Sequence, residues 1–201
     1  MDGDGVMTGL EVSECYRCSE LCAARSRIVN GVGPADPSLL VVGEAPGAEE
    51  DRQGEPFVGR SGRLLDGALA DCGLDRDSIR ITNTVRCRPP DNRDPRAAER
   101  KRCREWLETE IDRVDPRVIL AVGKVPASHL LGRDVGVTAE AGNVERVPAL
   151  GANARDVVIS VHPAAVLYDR SNEERLTDAI ETAAELAGMS PEDDQQRLSD
   201  Y

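Results

Sequence analysis

The chain of 201 residues is long enough for one domain with a sizeable core, or for one domain plus a small appendage. It carries 37 acidic against 25 basic residues, a net charge of −12, which at face value argues against a nucleic-acid partner. No apolar run approaches membrane-spanning length and Met1–Val12 has no signal-peptide pattern, so a cytoplasmic protein is expected and no membrane role. Proteins adapted to high salt also wear a carboxylate coat, and the Debye length falls to about 3 Å at 1 M. Under such conditions net charge says little about a local patch, and clusters must decide.

Residues 1–11 are rich in Gly and Asp and are expected to be mobile. Cys15-x-x-Cys18-x-x-x-Cys22 follows in a segment compatible with a helix, and Val29–Pro37 is a turn-rich connector. Leu39–Val42 is a short apolar run of the kind buried on both faces of a sheet. It empties into Gly43-Glu44-Ala45-Pro46-Gly47, where small and φ-restricted residues let the chain turn. The acidic run Glu49-Glu50-Asp51 and the turn Gln53–Pro56 lead to Phe57. Ser61 reads as the N-cap of a helix to Asp71 that carries Leu64, Leu65, Ala68 and Leu69 on one face. A strand, a Gly/Pro loop and a helix in that order are where open α/β sheets place their sites. Phe57 is the only Phe of the chain. It either fills a core gap or, among polar residues and glycines, offers a stacking platform; the second reading is favoured.

Ile79–Val85 is a second strand, with Asn83 near its end. Beyond it Arg86, Arg88 and Arg93, interleaved with prolines, form a rigid basic loop for which phosphate contact is expected over an ordinary solvated loop. Asp94-Pro95 caps a helix running to about Arg113, and Asp115-Pro116 breaks it. Val118–Val122 is a third buried strand, Pro126–Leu131 a short helix, and Asp134–Asp156 an irregular stretch with a turn between short strands. Val157–Val161, the fourth buried strand, runs into His162-Pro163, and Asn172–Gly188 is the last helix. From Ser190 the tail is polar and expected to be disordered. Alternating strands and helices predict an α/β, three-layer α/β/α sandwich around a four-stranded parallel sheet, a single domain over residues 12–189. His129, inside a helix, reads as a structural histidine. His162, beside Gly43 and Asn83 at one sheet edge, reads as part of a site.

Cys15 and Cys18 have the short spacing that lets two thiolates meet one metal centre, and Cys87 and Cys103 would complete a four-thiolate site. Sulfur ligation suits zinc or an iron–sulfur cluster. Cys72 reads as a buried thiol, and Cys22 competes for a ligand position. Six unrelated reduced thiols are a weaker reading.

With these pieces placed, the chain resembles the family-four iron–sulfur uracil-DNA glycosylases. The matching segments are CxxCxxxC at Cys15–Cys22, GEAPGAEEDRQGEPFVGRSGRLLD, ITNTVRCRPPDNRDP with Cys103 downstream, and VHPAA. The resemblance implies a uracil-DNA glycosylase-like fold whose N-terminal segment is held by a [4Fe–4S] cluster on Cys15, Cys18, Cys87 and Cys103, with zinc the alternative. It implies an enzyme that flips uracil out of DNA and hydrolyses its N-glycosidic bond in base excision repair. Glu44 and His162 would be catalytic, His162 by donating to uracil O2. Ala45 stands where another branch has the water-activating Asp. Gly47 stands where other branches place a Tyr against thymine's methyl group, with Glu50 as its substitute. Phe57 would stack on uracil and Asn83 would read its pairing edge. Leu167 would wedge into the vacated stack, with Arg170, Arg86, Arg88 and Arg93 on phosphates. Uracil-containing DNA is the implied partner, a sliding clamp or other repair protein a candidate one, and a monomer is expected. Ala164-Ala165 in place of a Ser-containing motif and the strong acidity are departures, the latter consistent with a halophilic host. A non-catalytic iron–sulfur DNA-binding module, a small electron carrier and a glycosylase for another deaminated base are the rival readings.

Overall fold

The computed structural model describes residues 5–189. In chain order the strands and helices are β1 (Val6–Thr8), β2 (Glu11–Glu14), α1 (Ser19–Ala24), β3 (Leu39–Gly43), α2 (Ala48–Gln53), α3 (Arg60–Asp71) and β4 (Arg80–Asn83). After these come α4 (Ala97–Val114), β5 (Val118–Val122), α5 (Lys124–Leu131), α6 (Val137–Glu140), β6 (Val144–Leu150), β7 (Asn153–Ser160) and α7 (Ser171–Ala187). Strand alternation builds two cores. Leu39, Val41, Ile81, Leu120 and Val158 point to one face, under Leu65, Leu69, Leu176 and Ile180 of α3 and α7. Leu40, Val42, Ile119, Ala121 and Ile159 point to the other, under Leu107, Ile111 and Leu130 of α4 and α5. Burial on both faces is why these strands are continuous apolar runs.

The sheet has five strands in the order β4-β3-β5-β7-β6, not the expected four. β4, β3, β5 and β7 are parallel, and β6 pairs antiparallel with β7 at the edge. β6 escaped the sequence reading because its face alternates exposed and half-buried residues, as an edge strand with one wet side does. Residues 6–8 and 11–14, placed in or beside a mobile N-terminus, pair instead as a hairpin. Val12 is buried and its backbone is held by Asn30, whose Oδ1 accepts from the Val12 amide at 2.8 Å. Two helix starts also differ from expectation. α3 begins after Gly59 rather than at Ser61, and α4 begins after Arg96 rather than at Asp94-Pro95. In α4 the Glu99 carboxylate accepts from the Arg96 amide at 2.7 Å, so an acid inside the first turn does the capping. The tail predicted from Ser190 lies outside the described residues.

A buried ion triad fixes the connector ahead of β3. Glu110 of α4, fully buried, accepts from Arg80 Nε and from Arg86 Nη2, each at 2.7 Å. Arg80 also donates to the carbonyls of Gly31, Gly33 and Pro34, and Arg86 donates to Asn30 Oδ1. One carboxylate against two guanidiniums leaves a net positive charge, which the carbonyls of Gly31, Gly33 and Pro34 and Asn30 Oδ1 solvate through the remaining N–H groups.

Candidate active site

The parallel strands deliver three chain segments to one rim. β3 ends at Gly43, which lies opposite Asn83 in the β3–β4 register. The Thr84 amide and hydroxyl both donate to the Gly43 carbonyl at 2.8 Å, and the Val85 amide donates to Glu44, so the two exits are tied together. β7 ends at Ser160, two residues before His162. A cavity of about 590 Å³ opens between them, lined by Glu44, Ala45, Glu50, Phe57, Asn83 and His162, with Pro46, Gly47, Ser61, Pro89, Asn92, Arg93, Ala164 and Tyr168. Phe57 and His162 face each other with ring centroids 6.1 Å apart.

Each of these side chains is placed by backbone. Gly43 has no side chain because there is no room for one: a Cβ there would lie 2.5 Å from both Asn83 Oδ1 and the Phe57 ring. Phe57 adopts φ 55°, a left-handed conformation that a bulky residue holds only under constraint. The constraint is Arg76, whose Nε donates to Asp66 at 2.6 Å and whose guanidinium donates to the Pro56 and Phe57 carbonyls. Glu50 closes the loop. Its carboxylate accepts from the amides of Gly47, Val58 and Gly59 at 3.1, 3.1 and 2.8 Å. Glu50 therefore walls the cavity and has its oxygens occupied by the loop that carries Phe57.

His162 is held in one tautomer. The Ala164 amide donates to its Nδ1 at 3.1 Å, which leaves the ring hydrogen on Nε2. Burial keeps its pKa below the ordinary value, so the ring is a neutral donor. At the end of β5, Gly123 has φ 113° and leaves the ring space, since a Cβ there would come within 3.2 Å of His162. Glu44 differs in kind. Burial, then the neighbouring Asp94 carboxyl, raise its pKa to about 7, against an opposing pull from Arg100. It is a carboxyl group poised to titrate near neutrality at the cavity wall.

Not every expected residue arrives. Arg86, expected on a phosphate, is buried in the Glu110 triad, because a guanidinium directly after a buried strand meets α4 before it meets solvent. Arg93 lines the cavity but is paired with Glu99 at 2.7 Å and with Glu20. Arg88 donates to Asn92 at 2.7 Å. Leu167, 37% exposed, sits beside Tyr168, 89% exposed, in the turn Pro163–Leu167 that follows His162, and Arg170 is exposed at the start of α7. The sequence reading missed Tyr168, Arg76 and Asp94. Only Tyr168 had a signal, an aromatic next to the expected wedge in an aromatic-poor chain.

The cysteines converge as well. Cys15, Cys18, Cys22, Cys87 and Cys103 line one small void of about 20 Å³ together with Arg17, Arg25 and Arg102. Arg25 donates to Cys87 Sγ at 2.8 Å, and burial pushes the Cys87 thiol up to about 12. Cys22 is in the same void, its Sγ donating to the Cys15 carbonyl at 3.5 Å, so the structure does not set it apart. Among the described residues no three His, Cys, Asp or Glu side chains surround a single metal-ion position. Cys72 lies elsewhere, buried between α3 and α7 with its Sγ donating to the Thr177 carbonyl at 3.8 Å.

Three strand ends thus bring an aromatic ring, an amide and a neutral imidazole donor around one cavity. Residues 30–186 match the Uracil DNA glycosylase superfamily, and the chain belongs to that superfamily. Its relatives include the type-4 uracil-DNA glycosylase of Archaeoglobus fulgidus, 35% identical over 195 residues and 95% of each chain. The type-4 enzyme of Thermotoga maritima is 39% identical over 165 residues, 82% of this chain and 83% of the other. A type-5 uracil-DNA glycosylase of Pyrobaculum aerophilum is 31% identical over 202 residues, 86% of this chain and 85% of that one.

Proposed function

We propose that the protein removes uracil from DNA, hydrolysing the N-glycosidic bond of a nucleotide flipped out of the helix and leaving an abasic site. The observation that carries this is the meeting of Phe57, Asn83 and His162 in one cavity at the carboxyl ends of the parallel strands. Uracil leaves the stack at a cost of a few kcal/mol, offset by stacking on Phe57 and by hydrogen bonds inside the pocket. The Asn83 side chain offers one acceptor and two donor hydrogens, so it pairs with N3–H and O4 of uracil and mismatches cytosine. Glu50, fixed by three amides, would stand against a 5-methyl group and so disfavour thymine.

Bond cleavage leaves negative charge on the base and positive charge on the sugar. The Nε2–H of neutral His162 stabilises the first at O2, as an oxyanion-hole donor does. A neutral donor suits this task, because it need not lose a proton to the departing base. Glu44 in its ionised form stabilises the second charge or holds the attacking water. Leu167 and Tyr168 enter the gap the base leaves, and Arg88 and Arg170 take phosphates. The protein acts as a monomer in the cytoplasm.

We further propose that Cys15, Cys18, Cys87 and Cys103 hold a [4Fe–4S] cluster; what supports this is that these thiols gather around one void, too small as it stands, so the cluster would spread them apart on binding. All its ligating donors are sulfur, and Arg17, Arg25 and Arg102 offset the charge of bound thiolates. When bound, the cluster ties the N-terminal segment to the β4–α4 loop and α4. Incubation with a U·G duplex followed by alkali tests the activity. Strand cleavage at uracil, absent with a T·G control, is the expected result, and an intact strand would refute the proposal.

A further inference from the structure

A second cleft, about 490 Å³, lies between α4 and α5, and its wall is basic in a chain of net charge −12. Arg100, Lys101 and Arg104 of α4 face Arg133 and His129 across it. Arg104 donates to Glu108 at 2.7 Å, and Arg133 is paired with Glu140 and Glu145. The one acid in the lining, Asp134, is paired with Lys124 at 3.0 Å. Arg100 and Lys101 have no carboxylate partner among the described residues. The field they make is felt inside the cleft: burial, then Arg104 and Arg100, hold the His129 pKa down at about 4. Arg100 also acts on Glu44 at the wall of the uracil cavity, lowering its pKa against the effect of burial.

We propose that this cleft receives the sugar-phosphate backbone of the DNA strand flanking the flipped uracil, extending the footprint from the cavity along α4 to Arg133. The proposal rests on the uracil-excision reading. Its geometry is that of a track: Ala97 to Arg104 is seven residues of helix, about 10 Å at 1.5 Å per residue. That length reaches more than one phosphate of a strand. Arginine and lysine without acidic partners are what phosphates recruit, and the contacts position the duplex without reading its sequence.

The test uses the full chain and two uracil substrates, a 24-base-pair duplex and a uracil trinucleotide too short to reach the cleft. Wild-type excision of both is measured first, and failure there sinks the uracil reading itself. Lys101→Ala is then expected to weaken binding of the long duplex about eightfold at 0.1 M salt and to lower the salt slope by about 0.9, the loss of one phosphate contact. Turnover of the trinucleotide is expected to be unchanged, since Lys101 is exposed and outside the cavity lining. In the wild type, the long duplex is expected to shield the Lys101 amine from acylation in a mass-spectrometric assay, and the trinucleotide is not. An unchanged salt slope, or a Lys101 acylated equally with and without duplex, overturns the proposal. Shielding by inorganic phosphate alone, to the same degree, also overturns it by showing a free-anion site.

Discussion

Gly43→Ala tests the convergence on which the catalytic reading stands. The new Cβ would sit 2.5 Å from Asn83 Oδ1 and 2.5 Å from Cε2 and Cζ of Phe57. Ordinary contact begins about 1 Å further out, near 3.5 Å between carbons. Neither neighbour yields cheaply: Asn83 and Phe57 are both buried, and Arg76 fixes the backbone of Phe57. Displacing a recognition group by about 1 Å costs on the order of 100-fold in rate. Stability suffers less. Overpacking costs about 1–3 kcal/mol, and alanine recovers roughly 0.5–1 kcal/mol over glycine in a strand. The net loss of about 1–2 kcal/mol lowers Tm by about 2–8 °C for a chain of this size. Single-turnover excision from a U·G duplex, with a thermal melt on the same sample, reads both quantities. A folded variant that keeps its rate within about threefold would refute the idea that Phe57 and Asn83 act together over Gly43.

Asn83→Asp replaces an amide by a group that only accepts when ionised, so uracil loses its donor to O4; the uracil-over-cytosine rate ratio is expected to fall at least tenfold in a paired-substrate assay. Because Glu44 titrates at about 7, activity that needs its carboxylate should rise with pH through about 7 and level off above. Asp94→Asn removes the like charge and should move that rise to lower pH, though not to 4.5, since burial is the larger cause. The fold, conversely, loses this group's stabilising contribution as pH climbs from 4.5 to about 7, because the folded protein must then bury a charge; a pH series of melts reads this. Glu110→Ala strands two buried guanidiniums and should cost about 3–5 kcal/mol in chemical denaturation, with activity falling only as the folded fraction falls.

The parallel strands were legible because burial on both sheet faces writes itself as unbroken apolar runs, as at Leu39–Val42 and Val118–Val122, and the longer helices by their apolar stripes; the short helices Ala48–Gln53 and Val137–Glu140 were not expected. β6 was not, because Val144–Leu150 has a single partner and a wet edge, so its pattern is mixed. Glu44, Ala45, Glu50, Phe57, Asn83 and His162, named from strand-end positions or from the resemblance, line one cavity. Arg86 was misplaced for a reason local sequence does not contain: its neutralising partner Glu110 lies 24 residues away, on a helix whose packing only the fold reveals. Arg76 and Asp94 were missed for the same reason, each acting on the site through a neighbour distant in sequence.

Arg86 also bears on how so acidic a chain binds a polyanion. Most arginines near the site are already committed: Arg86 and Arg80 to Glu110, Arg93 to Glu99 and Glu20, Arg76 to Asp66. These guanidiniums hold loops in place and contribute little field outside. Among the described residues the positive charge without a carboxylate partner near the cavity and α4 includes Arg88, Arg170, Arg60 and Arg63, with Arg100 and Lys101 along α4. On the proposed reading, affinity would draw heavily on the pocket, where Phe57 would stack on the base and Asn83 and His162 would hydrogen-bond to it. Few phosphate contacts mean a shallow dependence of binding on salt, since each contributes only about 0.9 to the logarithmic slope. If that reading holds, recognition by this chain would depend more on the flipped base than on DNA in general.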